Sequence, residues 1–210
     1  MFQQLFFLFI VRPVVLVVLG LNVRHRERIP TKGPAIVVSN HNSHLDTLVL
    51  MTLLPWPLLR RLRPVAAKDY FLRNRLLAWF ALNIMHIIPL EREIIDRHQD
   101  PLAACSEALQ NGDILILFPE GSRGDPEQMG TLKTGIAHLA KRNPEVPITP
   151  IFLHGLGKAL PKGEAILVPF FCDVFIGEPI RWSGDRGGFM TSLEQEIKTL
   201  AEEGYRPAWE

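Results

Sequence analysis

Residues 40–46, Asn40-His41-Asn42-Ser43-His44-Leu45-Asp46, place two imidazoles, a carboxylate, a hydroxyl and two amides between the apolar runs AIVV and LVLM. Polar groups beside a core are costly unless they are hydrogen-bonded or used. The pair that could do chemistry is His41 and Asp46. In a continuous helix, side chains five residues apart point about 140° apart. The two therefore meet only if His41 stands on a turn and Asp46 on the first turn of a following helix, for which Ser43 is a suitable N-cap. An imidazole held by a carboxylate is what general-base chemistry needs, because the carboxylate fixes the tautomer and supports the imidazolium that forms. On spacing alone, a capping turn with incidental histidines explains the stretch as well.

A second constellation is ILFPEGSRG at 116–124. Glu120 and Arg123 leave the end of an apolar run beside Gly121, Ser122 and Gly124. Glycines permit unusual backbone angles and close approach of a ligand. The N–H groups of such a turn, with the Arg123 guanidinium, suit an anion such as phosphate. An exposed turn with an internal Glu–Arg pair is the alternative. Arg92, in IIPLERE, and Lys68, after PVAA, also fall just past apolar runs. One histidine–aspartate pair and three run ends bearing Lys or Arg can converge on one sheet edge, as a cleft for an anionic substrate.

The elements that must position these residues alternate. AIVVS (35–39), PVAA (64–67), HIIPL (86–90) and DILILF (113–118) read as strands, followed later by PITPIFLH (147–154), AILVP (165–169) and DVFIG (173–177). Helical patterns cover 43–54, 70–83 with Asp69 as a cap, 97–111 with a stop at Gly112, 131–142 and 189–203. This predicts an α/β fold, a single layered domain whose mixed, largely parallel sheet is flanked by helices. A site where a buried strand hands over to a helix is common in open α/β sheets. At 210 residues the length suits one such domain.

Charge is divided unevenly. Residues 1–92 hold twelve Lys/Arg and four Asp/Glu, whereas 93–210 hold eleven and eighteen. Within 60–75, six bases face one acid. A basic N-terminal half suggests an anionic partner such as a phospholipid surface or a phosphorylated substrate. No groove-reading nucleic-acid module and no stacking pattern of aromatics among the bases is visible, so no nucleic-acid partner is expected. The two cysteines, Cys105 and Cys172, stand in no metal-binding or redox spacing and suit a reducing compartment.

Residues 5–21 are apolar except for Arg12, Pro13 and Gly20. As a helix they span roughly 26 Å at about 1.5 Å per residue, short of a bilayer core of about 30 Å. Arg12 at the centre would cost roughly 3 kcal/mol on insertion, and Pro13 would kink the helix. MFQQ lacks the basic charge of a signal peptide, and no small-x-small cleavage site follows. Residues 1–28 are thus expected to be a retained membrane-anchoring segment, either one short span or a bent pair of half-helices in one leaflet. Arg24, His25, Arg26 and Arg28 would lie at the cytoplasmic headgroups. Residues 29–210 form the remaining domain. A buried core helix is the alternative, against which stands apolar character on every side.

NHNSHLD with His41-x4-Asp46, the Arg92 segment, FPEGSRG at 118–124 and VPITPI at 146–151 together resemble the four ordered motifs of the glycerolipid acyltransferases. Lys68 in AAKDYF and the LKTG segment with Lys133 and Gly135 fit as well. The resemblance runs from about residue 30 to 180. Three positions depart from it: His44 where an aromatic residue is frequent, Ser122 where threonine is common, and IIPLER without an upstream glycine.

The resemblance implies transfer of an acyl group from acyl-CoA or acyl-carrier protein to a hydroxyl of a lysophospholipid, most simply lysophosphatidate. Glycerol 3-phosphate or another lysolipid are alternative acceptors. His41 would be the general base, oriented by Asp46. Lys68, Arg92, Glu120, Gly121, Ser122 and Arg123 would bind the acceptor's phosphate and polar head. No metal and no cofactor is implied beyond the acyl donor. The enzyme would associate with the phospholipid surface at the cytoplasmic face of the cell membrane. Two other classes compete. One is a metal hydrolase ligated by His41, His44 and Asp46 with Glu120 or His154, for which the spacing is poor. The other is a non-enzymatic membrane adaptor.

Overall fold

Seven strands form one sheet in the order β1-β7-β6-β2-β5-β3-β4 in this computed structural model, which describes residues 2–71, 73–91, 100–124, 129–159 and 171–205. They are β1 (Gly20–Arg24), β2 (Ala35–Ser39), β3 (Leu62–Ala67), β4 (Ile88–Leu90), β5 (Ile114–Leu117), β6 (Ile148–His154) and β7 (Phe171–Ile176). All pairings are parallel except β6 with β7, so the sheet is mixed and largely parallel, as expected.

β2 is buried at all five positions, which is why AIVVS reads as a continuous apolar run rather than an alternating one. Its side chains still alternate between faces. Ala35 and Val37 enter one core with α2 (Asp46–Leu53), and Ile36 and Val38 enter another with α5 (Ala103–Gln110), α6 (Gly135–Arg142) and α8 (Arg186–Tyr205). The pattern predicted for 70–83 divides into a single turn, α3 (Lys68–Phe71), and α4 (Arg75–Asn83). Asn74 causes the break: its backbone is extended and its side chain accepts from the Leu76 N–H at 2.9 Å, an N-cap inside the apparent helix. The 97–111 helix is described from Ala103 onward and ends before Gly112, whose φ is +77°. The strand expected at 165–169 lies outside the described residues, as does Arg92.

Residues 2–18 are helical, α-type at Phe2–Phe6 and π-type at Phe7–Val11 and Val14–Val18. Phe7, Val11, Val15 and Leu19 form a stripe no more than 2 % exposed. The other side carries exposed Phe2, Leu5, Leu8, Phe9, Ile10, Leu16 and Val17. No helix among the described residues is long and apolar enough to cross a membrane, so the expected short span has no counterpart. The chain turns at Leu19 and Gly20–Arg24 becomes an edge strand parallel to β7. Residues 2–28 thus contribute both a core stripe and a strand to the domain. The uniformly apolar sequence concealed this, because the exposed side is as apolar as the buried one.

Candidate active site

β2, β5, β3 and β4 run parallel, so their carboxyl ends lie along one edge of the sheet. The residues that follow them are the ones singled out from the sequence. Asn40, 1 % exposed, extends β2 by a side-chain bridge to β6. Its Nδ2 donates to the Leu153 carbonyl at 2.9 Å and its Oδ1 accepts from the Leu153 N–H at 2.8 Å. The chain then turns, and His41 and Asp46 meet.

Asp46 is the first residue of α2 and fully buried. Its Oδ2 accepts from His41 Nδ1 at 2.9 Å and from the Asn42 and Ser43 N–H groups at 2.7 and 2.8 Å. One carboxylate therefore orients the imidazole and fixes the turn that carries it. This takes the place of the cap expected from Ser43, whose hydroxyl accepts from the Leu45 N–H at 3.3 Å. With Nδ1–H donated to Asp46, the ring's lone pair is on Nε2. The other side of the imidazole stacks on Phe118 from the end of β5, centroids 4.1 Å apart and planes at 21°.

Glu120 is buried, and its two oxygens accept from the His41 N–H at 3.0 Å and the Gly130 N–H at 3.1 Å. Burial raises its carboxyl above the ordinary range, against which those two hydrogen bonds work. Gly124 N–H donates to the His41 carbonyl at 3.0 Å, a further tie between the two loops. Glu120 thus joins the loop after β5 to the loop after β2. Asn40 and Phe118 hold the histidine loop as well. Neither was given a role from the sequence, since neither an amide nor an aromatic residue marks itself as a scaffold without knowing its neighbours.

His41 lines a cavity of about 550 Å³. Its wall is polar at His44, Ser122, Arg123 and Lys133, and apolar at Val65, Phe71, Leu102, Leu117 and Ile136. Arg123 Nη1 donates to His44 Nε2. Burial first, then the charge of Arg123 and the neighbouring His41, lower the His44 pKa, with Asp46 opposing. Gly121 has φ +74° and lies under the Lys133 side chain; a Cβ there would stand 2.8 Å from Lys133 Nζ. Lys133 is fixed from its backbone, whose N–H donates to the Pro119 carbonyl at 2.9 Å. Lys68 follows β3 as expected, but its ammonium pairs with Glu91 and it does not line the cavity. Among the described residues, no group of three or more His, Cys, Asp or Glu is placed to hold a metal ion.

A chloroplastic 1-acyl-sn-glycerol-3-phosphate acyltransferase from Arabidopsis thaliana is 32 % identical over 165 residues, 78 % of this chain and 44 % of that protein. A 1-acyl-sn-glycerol-3-phosphate acyltransferase from Pseudomonas aeruginosa is 31 % identical over 187 residues, 86 % of this chain and 67 % of that protein. The chain spans under half the length of the Arabidopsis relative, and likewise 44 % of a chloroplastic 1-acyl-sn-glycerol-3-phosphate acyltransferase from Brassica napus. The crystal structure of the 1-acyl-sn-glycerophosphate acyltransferase PlsC from Thermotoga maritima shares the fold, with a TM-score of 0.78 at 22 % identity over 98 % of this chain and 80 % of that one. The profile of the acyltransferase family matches residues 20–154, from the start of β1 to the end of β6 and across both the His41–Asp46 and Glu120–Arg123 loops, and the chain belongs to that family.

Proposed function

We propose that this protein transfers a fatty acyl group from a thioester, acyl-CoA or acyl-carrier protein, to the free hydroxyl of lysophosphatidate, giving phosphatidate. The observation that carries this reading is the 2.9 Å contact between His41 Nδ1 and buried Asp46, at the wall of a cavity that is cationic in one part and apolar in another. His41 Nε2 removes the hydroxyl proton as the oxygen attacks the thioester carbonyl. The tetrahedral intermediate collapses, the C–S bond breaks, and the imidazolium returns its proton to the departing sulfur. Asp46 supports the imidazolium between those two transfers. The apolar wall suits an acyl chain and Arg123 suits the phosphate. Glu120 acts as a positioning residue for the His41 loop rather than as a headgroup ligand. Lys68 must leave Glu91 before it can meet an anion.

The acceptor and product are amphiphiles, and the protein has a surface to match. The exposed side of helix 2–18 adjoins α4, where Phe6 and Phe80 meet edge to face at 5.2 Å and Leu76, Trp79 and Leu82 are exposed. Ten large apolar side chains on the two helices face outward, more than scattered surface residues require. Lying in one leaflet, with Arg73 and Arg75 at the headgroups, this face would hold the cavity at the membrane surface. That is the in-plane half of the expectation for the N-terminus, at the cytoplasmic leaflet. A panel of lysophosphatidate, glycerol 3-phosphate and lysophosphatidylcholine, each with one labelled acyl-CoA and one labelled acyl-carrier protein and read by mass spectrometry, tests the reading. Phosphatidate as main product is expected; no acylated product from any acceptor overturns it.

A further inference from the structure

We propose that the acceptor's phosphate monoester sits in a notch formed by Arg123, Lys133 and His44 around the Gly121–Ser122 turn, and that His44 takes up a proton as the dianion binds. This rests on the acyl-transfer reading and names two residues, Lys133 and His44, as ligands to the acceptor's headgroup.

Four observations carry it. All three side chains line the cavity that contains His41. The Lys133 stem crosses Gly121, so its ammonium is carried to the turn by a residue that has no Cβ to obstruct it. Among the described residues no carboxylate forms an ion pair with Lys133, in contrast to Lys68 with Glu91. Arg123 donates to His44 Nε2. A guanidinium has donors and no acceptor, so in this contact His44 is neutral, with its hydrogen on Nδ1.

A phosphate dianion changes what this arrangement requires. It brings acceptor oxygens where the imidazole had been the acceptor, and Arg123 turns from His44 to the phosphate. His44 then meets an anion with its Nε2 lone pair, a repulsive contact that a proton from bulk water converts into a charge-assisted donor. Arg123, His41 and Asp46 act on His44, and Lys133 shares its cavity wall. Arg123 and His41 disfavour its protonation and Asp46 favours it. The incoming dianion adds to the side of Asp46 and neutralises Arg123. A monoester presents three oxygens to three donors; a phosphodiester presents two and one negative charge. The notch therefore selects lysophosphatidate over lysolipids whose phosphate already bears a second alcohol.

The test uses the full-length protein in detergent. Binding of a short-chain lysophosphatidate is followed by calorimetry at pH 8, where the ligand is mostly dianionic, in buffers of different ionisation enthalpy. The wild type should take up a substantial fraction of one proton per ligand bound, and His44→Phe should take up less by that fraction. Lys133→Met should raise the acceptor KM about tenfold with kcat within threefold and the donor KM unchanged, and Lys133→Arg should recover most of the loss. Equal proton uptake in wild type and His44→Phe, or an acceptor KM in Lys133→Met equal to the wild-type value, overturns the notch while leaving acyl transfer standing. Absence of acyl transfer to lysophosphatidate by the wild type removes the functional reading, and the notch with it.

Discussion

Replacing Asp46 by Asn keeps the size of the side chain and removes its charge. In the native protein three donors converge on Oδ2, His41 Nδ1 at 2.9 Å and the Asn42 and Ser43 N–H groups at 2.7 and 2.8 Å. Oδ1 is buried and has no hydrogen-bond partner among the described residues, so an asparagine can present its oxygen to the three donors and bury its NH2 where Oδ1 stood. Hydrogen bonds to a charged acceptor contribute about 1 kcal/mol more than neutral ones, so the turn should lose about 3 kcal/mol across the three, plus about 1–3 kcal/mol for an unsatisfied NH2. Relief from burying a carboxylate offsets part of this. The catalytic effect should be larger, because the imidazolium loses its counter-charge: kcat is expected to fall roughly 10²–10⁴-fold. The acceptor KM should stay within threefold, as Asp46 has no exposed surface with which to touch substrate. Steady-state rates with labelled acyl donor and lysophosphatidate, alongside urea unfolding, separate the two effects. A folded Asp46→Asn enzyme with kcat within threefold of wild type would refute the carboxylate-supported base.

Arg123→Lys should raise the acceptor KM about tenfold and leave the donor KM unchanged, since a point charge replaces a planar fork of donors; equal effects on both substrates would place Arg123 elsewhere. Glu120→Gln replaces one of two acceptor oxygens by a donor that faces a backbone N–H, at a cost of about 1–3 kcal/mol. Burial raises the Glu120 carboxyl pKa, so the folded state binds that proton more tightly than the unfolded chain. Its contribution to stability is therefore highest at acid pH and declines as pH rises through the raised value. The stability difference between wild type and Glu120→Gln should accordingly narrow from pH 5 to pH 8 in urea titrations; a difference that widens contradicts the assignment. Phe9→Ser, Val17→Ser and Trp79→Ser should each weaken sedimentation with anionic phospholipid vesicles by tenfold or more, from the loss of about 1.5–3 kcal/mol of apolar burial, with little change in Tm; undiminished binding in the triple variant would exclude this face from the membrane.

The strands that build the sheet centre were legible because burial on both faces leaves mostly one kind of residue: the runs AIVV and ILI within them are apolar and buried. The edge was not. GLNVR is partly exposed along its length and follows an apolar helix without a turn signal of its own. The His41–Asp46 meeting could be argued from their spacing across a strand–helix junction, and the observed contact matches it. Which lysine lines the cavity could not. Lys68 directly follows β3 and Lys133 lies just before α6, and what separates them is their neighbours: Glu91 beside one, Gly121 beneath the other. Glu120 is expected, from the family resemblance, among the groups that bind the acceptor's polar head. Its hydrogen bond to a backbone N–H 79 positions away is a property of the folded sheet edge.

The double duty of the N-terminus bears on how this protein can be handled. Deleting the first two dozen residues, the usual route to a soluble fragment of a lipid enzyme, would remove the side chains of Phe7, Val11, Val15 and Leu19 from the interior. It would also leave β7 with an unpaired parallel edge along Phe171–Phe175, an invitation to strand-to-strand aggregation. A better fragment keeps the backbone whole and exchanges only the outward residues, such as Phe9, Leu16 and Val17, for polar ones.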